Sequence, residues 1–376
     1  MFANAKKYLF VALGTALALS AQSAIAQGED PSLVTQVSGA EQNQTTAAEQ
    51  KQTPLGYGTY QDIIAGVNQS DNQVWWAVHN PNGSEHLYLS LNTTPSLGMP
   101  GPMLLYMGIN PQGSWFGGTV PIEPGYTIKQ SPAGIDSPLA SVNWNPSTRQ
   151  YQIAVKVPNV LTANLKLSGP LGGATLPANW DGQTSYWTQS LGTGTANGEI
   201  SFPLINSDDT VTEGNYYPTT VTDWGVEQES QFGNFQLGSG PLGLPSAIHI
   251  GYDYASTYNP DGSTDTLYTF PLLHGGWHGI MTTTFADGTV SQCADPAPTE
   301  SNWYTDAGGF SYPTELSVSC NGRSLVFTTS AQQSQVNYQA IAIDGFAAAN
   351  SNTTSNKGGV GLIQHIRDVG YFGVTP

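Results

Sequence analysis

The sequence predicts an all-β protein organised as two β domains, and three observations predict it. Apolar residues recur with a period of two in short runs. The runs are bounded by Gly, Pro, Asn and Asp, and no window holds an apolar stripe with the 3.6-residue period of a helix. The 43 glycines and 25 prolines among 376 residues supply the tight turns that many short strands require.

In chain order, residues 1–26 carry the three parts of a secretory signal. Lys6 and Lys7 precede an apolar run from Tyr8 to about Leu19, and Ala24-Ile25-Ala26 provides the small residues of a cleavage site. No run reaches the length of a membrane-spanning helix, so export to a secreted or periplasmic location without membrane insertion is expected. Residues 27–53 are rich in Gln, Thr and Ala and contain no aromatic residue. Such a segment cannot bury enough surface to offset its ordering entropy and reads as a flexible lead-in.

Strand patterns begin after Gly56, with clear examples at Gln73 to His79, His86 to Leu91, Met103 to Ile109, Gln150 to Val157, Ala247 to Tyr254 and Trp277 to Phe285. The Gly192-Thr-Gly-Thr-Ala-Asn-Gly198 stretch and the later Asp208-Asp209 mark a division. This gives an N-terminal β domain over 54–205 and a C-terminal one over 206–376, with a single continuous sandwich or barrel as the competing reading, since all-β domains can exceed about 200 residues. Two hairpins can be specified by residue. Asn321-Gly322 suits a type I′ turn and sets Val318 opposite Leu325 and Leu316 opposite Phe327; Asp287-Gly288 sets Phe285 opposite Val290.

The chain holds 10 basic and 27 acidic residues, a formal charge of −17; without Lys6 and Lys7, 8 against 27 gives −19. A chain this acidic is repelled by nucleic acid and by anionic lipid, which excludes both as expected partners. Cys293 and Cys320 are its two cysteines. In an exported protein they are expected to pair, contributing about 3 kcal/mol through the entropy of the closed loop.

Concentrated chemistry is sparse. There is no nucleophile elbow, no phosphate-binding glycine loop, no zinc-protease helix and no Cys-x-x-Cys, so serine hydrolases, nucleotide enzymes and zinc proteases lose support, and no cofactor is expected. The segment His274-Gly-Gly-Trp277-His278-Gly279 places two histidines on one strand face, where they serve as hydrogen-bonded structural groups, as a pocket lining or as metal ligands; no metal is expected. The glycines indicate a bulge that aims the indole and imidazoles into a cavity. Adjacent aromatic pairs such as Trp75-Trp76 point to opposite faces of a strand, so something beyond a single core must cover one of them. Among the acids Asp223, Asp253, Glu300, Asp306 and Glu315, Asp306 stands out, because Trp303-Tyr304-Thr305 leads into it and a glycine turn follows. A carboxyl walled by aromatics has its pKa raised and can act as a general acid.

One resemblance rests on the order of these motifs. Tyr216-Tyr217 follows an acidic turn; then come the Asp287-Gly288 hairpin, Trp303 with its glycine turn, Tyr312-Pro313, the Asn321-Gly322 hairpin and the closing Gly370-Tyr371-Phe372, with a weaker echo at Trp76. The C-terminal half resembles the lipocalin-like family that includes carotenoid 1,2-hydratases, the secreted fungal kievitone hydratase and fungal Diels-Alderases. The family's Asp-His-x-Trp-Gly motif has no clean match; Trp224-Gly225 and Trp277-His278-Gly279 are imperfect stand-ins. The resemblance implies that the C-terminal domain is a lipocalin-like antiparallel barrel and that a hydrophobic pocket lies between or within the domains. It also implies an aromatic-lined acid at Trp277, Tyr304 and Asp306.

The expected protein binds a hydrophobic small molecule, an isoprenoid or polyketide. If it is an enzyme, it is a cofactor-independent hydratase, lyase, isomerase or cyclase acting on a C=C bond. Asp306 would be the acid, with His278 or His274 orienting it or delivering water, and Trp277, Trp303, Tyr304, Tyr217 and Trp76 would line the substrate site. The alternative is a carbohydrate-binding or glycoside-hydrolysing β protein with two carboxylates across a groove. A third class is an extracellular interaction protein without a small-molecule site. Oligomeric state is not set by the sequence.

Overall fold

The computed structural model describes residues 71–92, 102–122, 125–130, 132–180, 183–207, 210–233, 251–271, 276–305, 311–329, 339–341 and 346–368. The signal and lead-in expected over 1–53 lie outside these residues, as do His274 and Asp306. The described residues contain strands and turns and no helix; none of them forms a helix long and apolar enough to cross a membrane.

The first sheet comprises β1 (Asp71–His79), β2 (His86–Asn92), β3 (Met103–Ile109), β4 (Trp115–Pro121), β5 (Thr127–Gln130), β6 (Ala133–Asp136), β7 (Ala140–Asn145), β8 (Gln150–Val157), β9 (Leu161–Ser168), β10 (Thr175–Trp180), β11 (Gln183–Ile205) and β12 (Val211–Gly233). The second comprises β13 (Gly251–Tyr258), β14 (Thr264–Pro271), β15 (Trp277–Thr284), β16 (Val290–Ala294), β17 (Thr299–Thr305), β18 (Ser311–Cys320), β19 (Arg323–Thr328), β20 (Gln339–Ile341), β21 (Phe346–Ser355) and β22 (Val360–Asp368). All the described pairings between these strands are antiparallel except an isolated bridge at Gly172 and Leu191. The sheets divide between Gly233 and Gly251, and β11 and β12 form a hairpin across position 205/206.

Both sheets are meanders whose first and last strands pair. The first runs β4-β3-β2-β1-β12-β11-β9-β8-β7-β6-β5, with β10 beside β11; the second runs β16-β15-β14-β13-β22-β21-β19-β18-β17, with β20 beside β21. This leaves β4 and β5 as the ends of the first strand order and β16 and β17 as those of the second. In the second sheet the Cys293–Cys320 disulfide links β16, at one end of the strand order, to β18, next to the other end, with Cα atoms 6.2 Å apart. The bridge therefore holds the two ends of a curled sheet together.

Period-two side-chain alternation builds three cores. On β8 buried and outward residues alternate, Tyr151, Ile153, Val155 and Val157 facing in. They join Val74, Trp76, Val78, Leu87, Leu89 and Leu165 in the core of the first sheet. Ala255, Leu267, Met281, Leu316, Val318, Leu325, Phe327 and Ile363 form the core of the second. β2 and β14 are buried along their whole length, on both faces. Their second faces meet in a third cluster drawn from both sheets, including Trp75, Ala77, Tyr88 and Trp187 from the first and Tyr254, Tyr268, Phe270 and Leu362 from the second.

The Asn321-Gly322 hairpin has the expected register, Val318 opposite Leu325 and Leu316 opposite Phe327. The Asp287-Gly288 hairpin is corrected by one residue. Phe285 N–H donates to Thr289 C=O and Thr284 pairs with Val290. Asp287 Oδ1 accepts from the Thr289 N–H and hydroxyl at 2.9 and 2.7 Å, which favours the longer turn over the two-residue one. The strand expected from Ala247 is described from Gly251 and extends to Tyr258.

Candidate active site

The cluster between the sheets is aromatic at its edges and acidic at its centre. On β1 and β12, Trp75 pairs with Glu229 and Ala77 with Glu227. Residues two apart share a strand face, so both glutamates point to the second sheet. Neither is more than 1% exposed. The same strand's other face sends Val226 and Trp224 into the core of the first sheet.

Donors from both sheets converge on the acids. Tyr254 Oη–H donates to Glu227 Oε1 and Thr266 Oγ–H to Glu227 Oε2, each at 2.8 Å. Gln189 Nε2 donates to Glu227 Oε2 at 3.3 Å and to Glu229 Oε1 at 3.2 Å. The amide is held in this orientation because its oxygen accepts from Ala174 N–H at 3.0 Å and Thr284 Oγ–H at 3.2 Å. β11 shifts register between Gln189 and Leu191 and again before Gly194, a local irregularity of the kind that re-aims a side chain next to a functional site. Gly173 leaves the space for it, since a Cβ there would lie 2.3 Å from the Gln189 Cβ.

Burial raises the pKa of both carboxyl groups. For Glu229 burial is reinforced by the negative charge of Glu227 and opposed by Gln189, Trp75 and Tyr254, leaving it well above the ordinary carboxylate range. For Glu227 the Ser256, Thr266, Tyr254 and Glu229 side chains offset burial, and the rise is smaller. Glu229 Oε1 accepts from Gln189, and its Oε2 has no hydrogen-bond partner. Of two close carboxyl groups the one with the higher pKa keeps its proton longer while the other carries the charge, and here the larger rise falls on Glu229.

Aromatic rings wall the pair. Trp75 makes edge contacts with Tyr254 and Tyr268 at 6.2 and 6.0 Å, Tyr88 meets Tyr254 at 6.0 Å, and Tyr252 meets Tyr268 at 5.5 Å. Beside them His79 and His86, register partners on β1 and β2, are buried with Nδ1 atoms 3.1 Å apart, and His79 Nε2 lies 3.2 Å from Ser256 Oγ. Burial lowers both histidine pKa values, for His86 to about 4 and for His79 well below 6.5 with a further contribution from His86. On the opposite face of β13, Asp253 and His365 form a separate buried couple, 2.7 Å apart, on the side that carries the core of the second sheet.

The residues expected from sequence are distributed differently. Trp76 is fully buried in the core of the first sheet, its N–H donating to Gln228 at 2.7 Å, and Tyr217 packs on that same core. His278 is half-buried with Nδ1 3.4 Å from Asp295 Oδ1. Partial burial raises the Asp295 pKa, but bonds from His278 and the Gly279 N–H outweigh it and the carboxyl lies below its usual value. Trp277 and Trp303 are half-buried, while Tyr304 is exposed at 37% and packs edge-on against Tyr312 at 5.5 Å. A groove of about 430 Å³ on the first sheet, lined by Gly125, Tyr126, Thr127, Asp136, Ser137 and Pro138, contains none of these residues and none of the buried acids. Sequence reasoning missed Glu227, Glu229, Gln189, Tyr254, His79 and His86. Two glutamates at alternate positions of a strand, two residues after Gly225, were the available signal.

The architecture defines a class: an all-β protein of two antiparallel sheets, one of them curled, lipocalin-like, with a polar, aromatic-walled centre between them. No family model matches the sequence, and no curated protein matches it. Solved structures do share the fold. An AttH-like protein from Nitrosomonas europaea superposes with a TM-score of 0.57 at 13% identity, over 85% of this chain and 99% of its own. Kievitone hydratase from Nectria haematococca gives 0.51 at 10% identity, over 84% and 96%. CghA, crystallised with Sch210972, gives 0.56 at 10% identity, over 86% and 96%. The fold is the one that the C-terminal motifs indicated.

Proposed function

We propose that the protein binds a hydrophobic small molecule, an isoprenoid or polyketide, between its two sheets and transfers a proton to a carbon–carbon double bond in it. The buried Glu227–Glu229 pair carries this reading. Glu229, with its pKa raised by burial and by its neighbour's charge, is placed to act as a proton donor. The rings of Trp75, Tyr254 and Tyr268 shield the cation that protonation creates, through their π faces. Glu227, surrounded by donors, accepts the proton released when water adds or when a neighbouring carbon is deprotonated. The reaction is a hydration in the first case and an isomerisation in the second, and neither draws on a cofactor. Two fold relatives supported at the level of architecture are a hydratase and a protein crystallised with a small molecule. Export is part of the same proposal, supported by the N-terminal signal pattern and the disulfide.

The carbohydrate alternative gains nothing from this pair. Glycosidase carboxylates face each other across a groove about 5–9 Å wide, whereas these two leave one strand side by side and share the Gln189 amide. The experiment begins with mass spectrometry of small molecules extracted from the purified protein, followed by incubation of matching alkenes in D2O. Wild type is expected to incorporate deuterium at carbon, and Glu229→Gln to bind the alkene without incorporating it. Retained incorporation in Glu229→Gln together with its loss in Asp306→Asn would move the acid to the sequence-derived site at Asp306, His274 and His278. A bound oligosaccharide would overturn the proposal.

A further inference from the structure

We propose that His86, His79 and Ser256 form a proton wire through which the proton held by the Glu227–Glu229 pair exchanges with the surface while the sheets stay closed. The inference rests on the assignment of that pair as the proton donor.

The contacts lead inward from a surface turn. His86 follows an exposed turn at 82–84 and its Nδ1 lies 3.1 Å from His79 Nδ1. The other nitrogen of His79 lies 3.2 Å from Ser256 Oγ on the second sheet. Ser256 and Glu229 both sit against Glu227, close enough to stabilise its charged form. His79, His86, Ser256, Glu227 and Glu229 are all at most 3% exposed, so the wire crosses from β2 and β1 to β13 and back to β12 through dry interior. Tyr254, Tyr88 and Tyr252 are the other titratable groups around its acidic end.

Hydrogen-bond bookkeeping fixes one direction. With the Ser256 hydroxyl proton turned toward the Glu227 carboxylate, the Ser256 oxygen accepts from His79 Nε2–H. That makes His79 Nδ1 the acceptor, so His86 Nδ1 carries the proton between the rings. Neutral imidazoles have one donor and one acceptor nitrogen each, and this arrangement uses both rings of the pair in their neutral forms. In one relay event Ser256 gives its proton to Glu227 and takes one from His79 Nε2. His79 takes one at Nδ1 from His86 Nδ1, and His86 takes one at Nε2 from solvent. One proton has entered and neither ring has ever been an imidazolium. The tautomers have flipped, and the reverse passage or rotation of the serine hydroxyl and ring protons resets them. Burial that holds both histidines neutral costs stability but suits such a relay, since a charged imidazolium in the middle would trap the proton. A purely structural contact between sheets would be made as well by apolar side chains, without two desolvated rings.

The test needs no substrate. Infrared spectroscopy follows the carbonyl stretch of a protonated buried carboxylic acid, identified as Glu229 by its disappearance in Glu229→Gln, and times its shift on transfer into D2O. Ser256→Ala and His79→Phe are expected to slow that deuteration at least tenfold, and Ser256→Thr, which restores the hydroxyl, to return it toward the wild-type rate. Backbone amide exchange recorded on the same samples reports whether the sheets open. Equal deuteration rates in wild type, Ser256→Ala and His79→Phe, or a wild-type rate no faster than opening of the sheets, would overturn the wire and leave the acid assignment standing. Absence of a protonated carboxyl band sensitive to Glu229→Gln would overturn the acid assignment itself. If His79→Phe fails to fold, the Ser256 pair of variants decides alone.

Discussion

Replacing Glu229 with glutamine keeps the shape of a protonated carboxyl and removes its titration, so the variant isolates what burial of this group does to stability. The folded state holds the Glu229 proton at pH values where the unfolded chain, with an ordinary value of 4.5, has released it. Stability from this group is therefore complete below pH 4.5 and is lost as pH rises, at about 1.4 kcal/mol per pH unit, until the carboxyl ionises in the folded state. Glu229→Gln does not suffer that loss. Each pH unit of that loss is about 1.4 kcal/mol, against whole-domain stabilities of about 5–15 kcal/mol, and is read from denaturant midpoints.

The buried histidines slope the other way. The folded chain keeps His86 neutral down to about pH 4, while an unfolded histidine takes a proton near 6.5. Stability from this group is complete above 6.5 and falls as pH drops toward 4. From pH 4.5 upward the acids of the wild type oppose its histidines, whose contribution changes between about 4 and 6.5. In Glu229→Gln the opposition is weakened, and stability should rise with pH from 4.5 to 6.5 relative to wild type. Urea titrations at half-unit intervals of pH measure both curves. Parallel curves for wild type and variant would refute the assignment of a proton to Glu229 in the folded state.

Three further outcomes are expected. His86→Phe should remove the His86 share of the acid sensitivity below pH 6.5, about 3 kcal/mol for a fall from 6.5 to about 4, and leave that of His79, as seen in denaturant midpoints at pH 4 and 7; an unchanged acid limb would contradict it. Cys293→Ala with Cys320→Ala should lower stability by about 3 kcal/mol, because the bridge closes the 27-residue separation between ends of one curled sheet; a melting temperature unmoved by the double change would show that the closure holds without it. Gly225→Ala places a Cβ within 2.1–2.5 Å of the Tyr258 ring, and the overpacking should cost about 1–3 kcal/mol, with the near-ultraviolet circular dichroism of the aromatic interface altered; wild-type stability would mean that the ring yields freely.

The parts of the fold that were legible in the sequence are those decided locally. Asn321-Gly322 fixes its own register because both turn positions take positive φ, 52° and 76°, and each cross-strand partner follows. At Asp287 the aspartate side chain, bonding to Thr289, selected a longer turn, and pattern alone could not choose between the two. The opposed faces of Trp75 and Trp76 follow from alternation, and the structure gives them to different clusters. What covers Trp75 is a sheet beginning at Gly251, a contact that no local pattern encodes. The acid pair was illegible for the same reason. Alternating glutamates on a strand read as a solvated face, and only the second sheet, arriving with Tyr254 and Thr266, makes that face an interior.

An interface between two sheets needs no charge. Leucine and valine fill the core of the first sheet and would serve between the sheets too, without desolvating carboxyl and imidazole groups. Here the contact buries Glu227, Glu229, His79, His86, Gln189, Ser256 and Thr266 together, and each sheet supplies part of the bonding that the other's polar groups require. Tyr254 and Thr266 of the second sheet satisfy an acid of the first, and Ser256 meets His79. Neither sheet's polar face would be satisfied alone, so the network specifies how the sheets pair as well as holding a proton between them. That coupling places the acid–base chemistry at the one place in the described molecule where strands separated by the whole length of the fold, β1 and β22 among them, come to the same aromatic cluster.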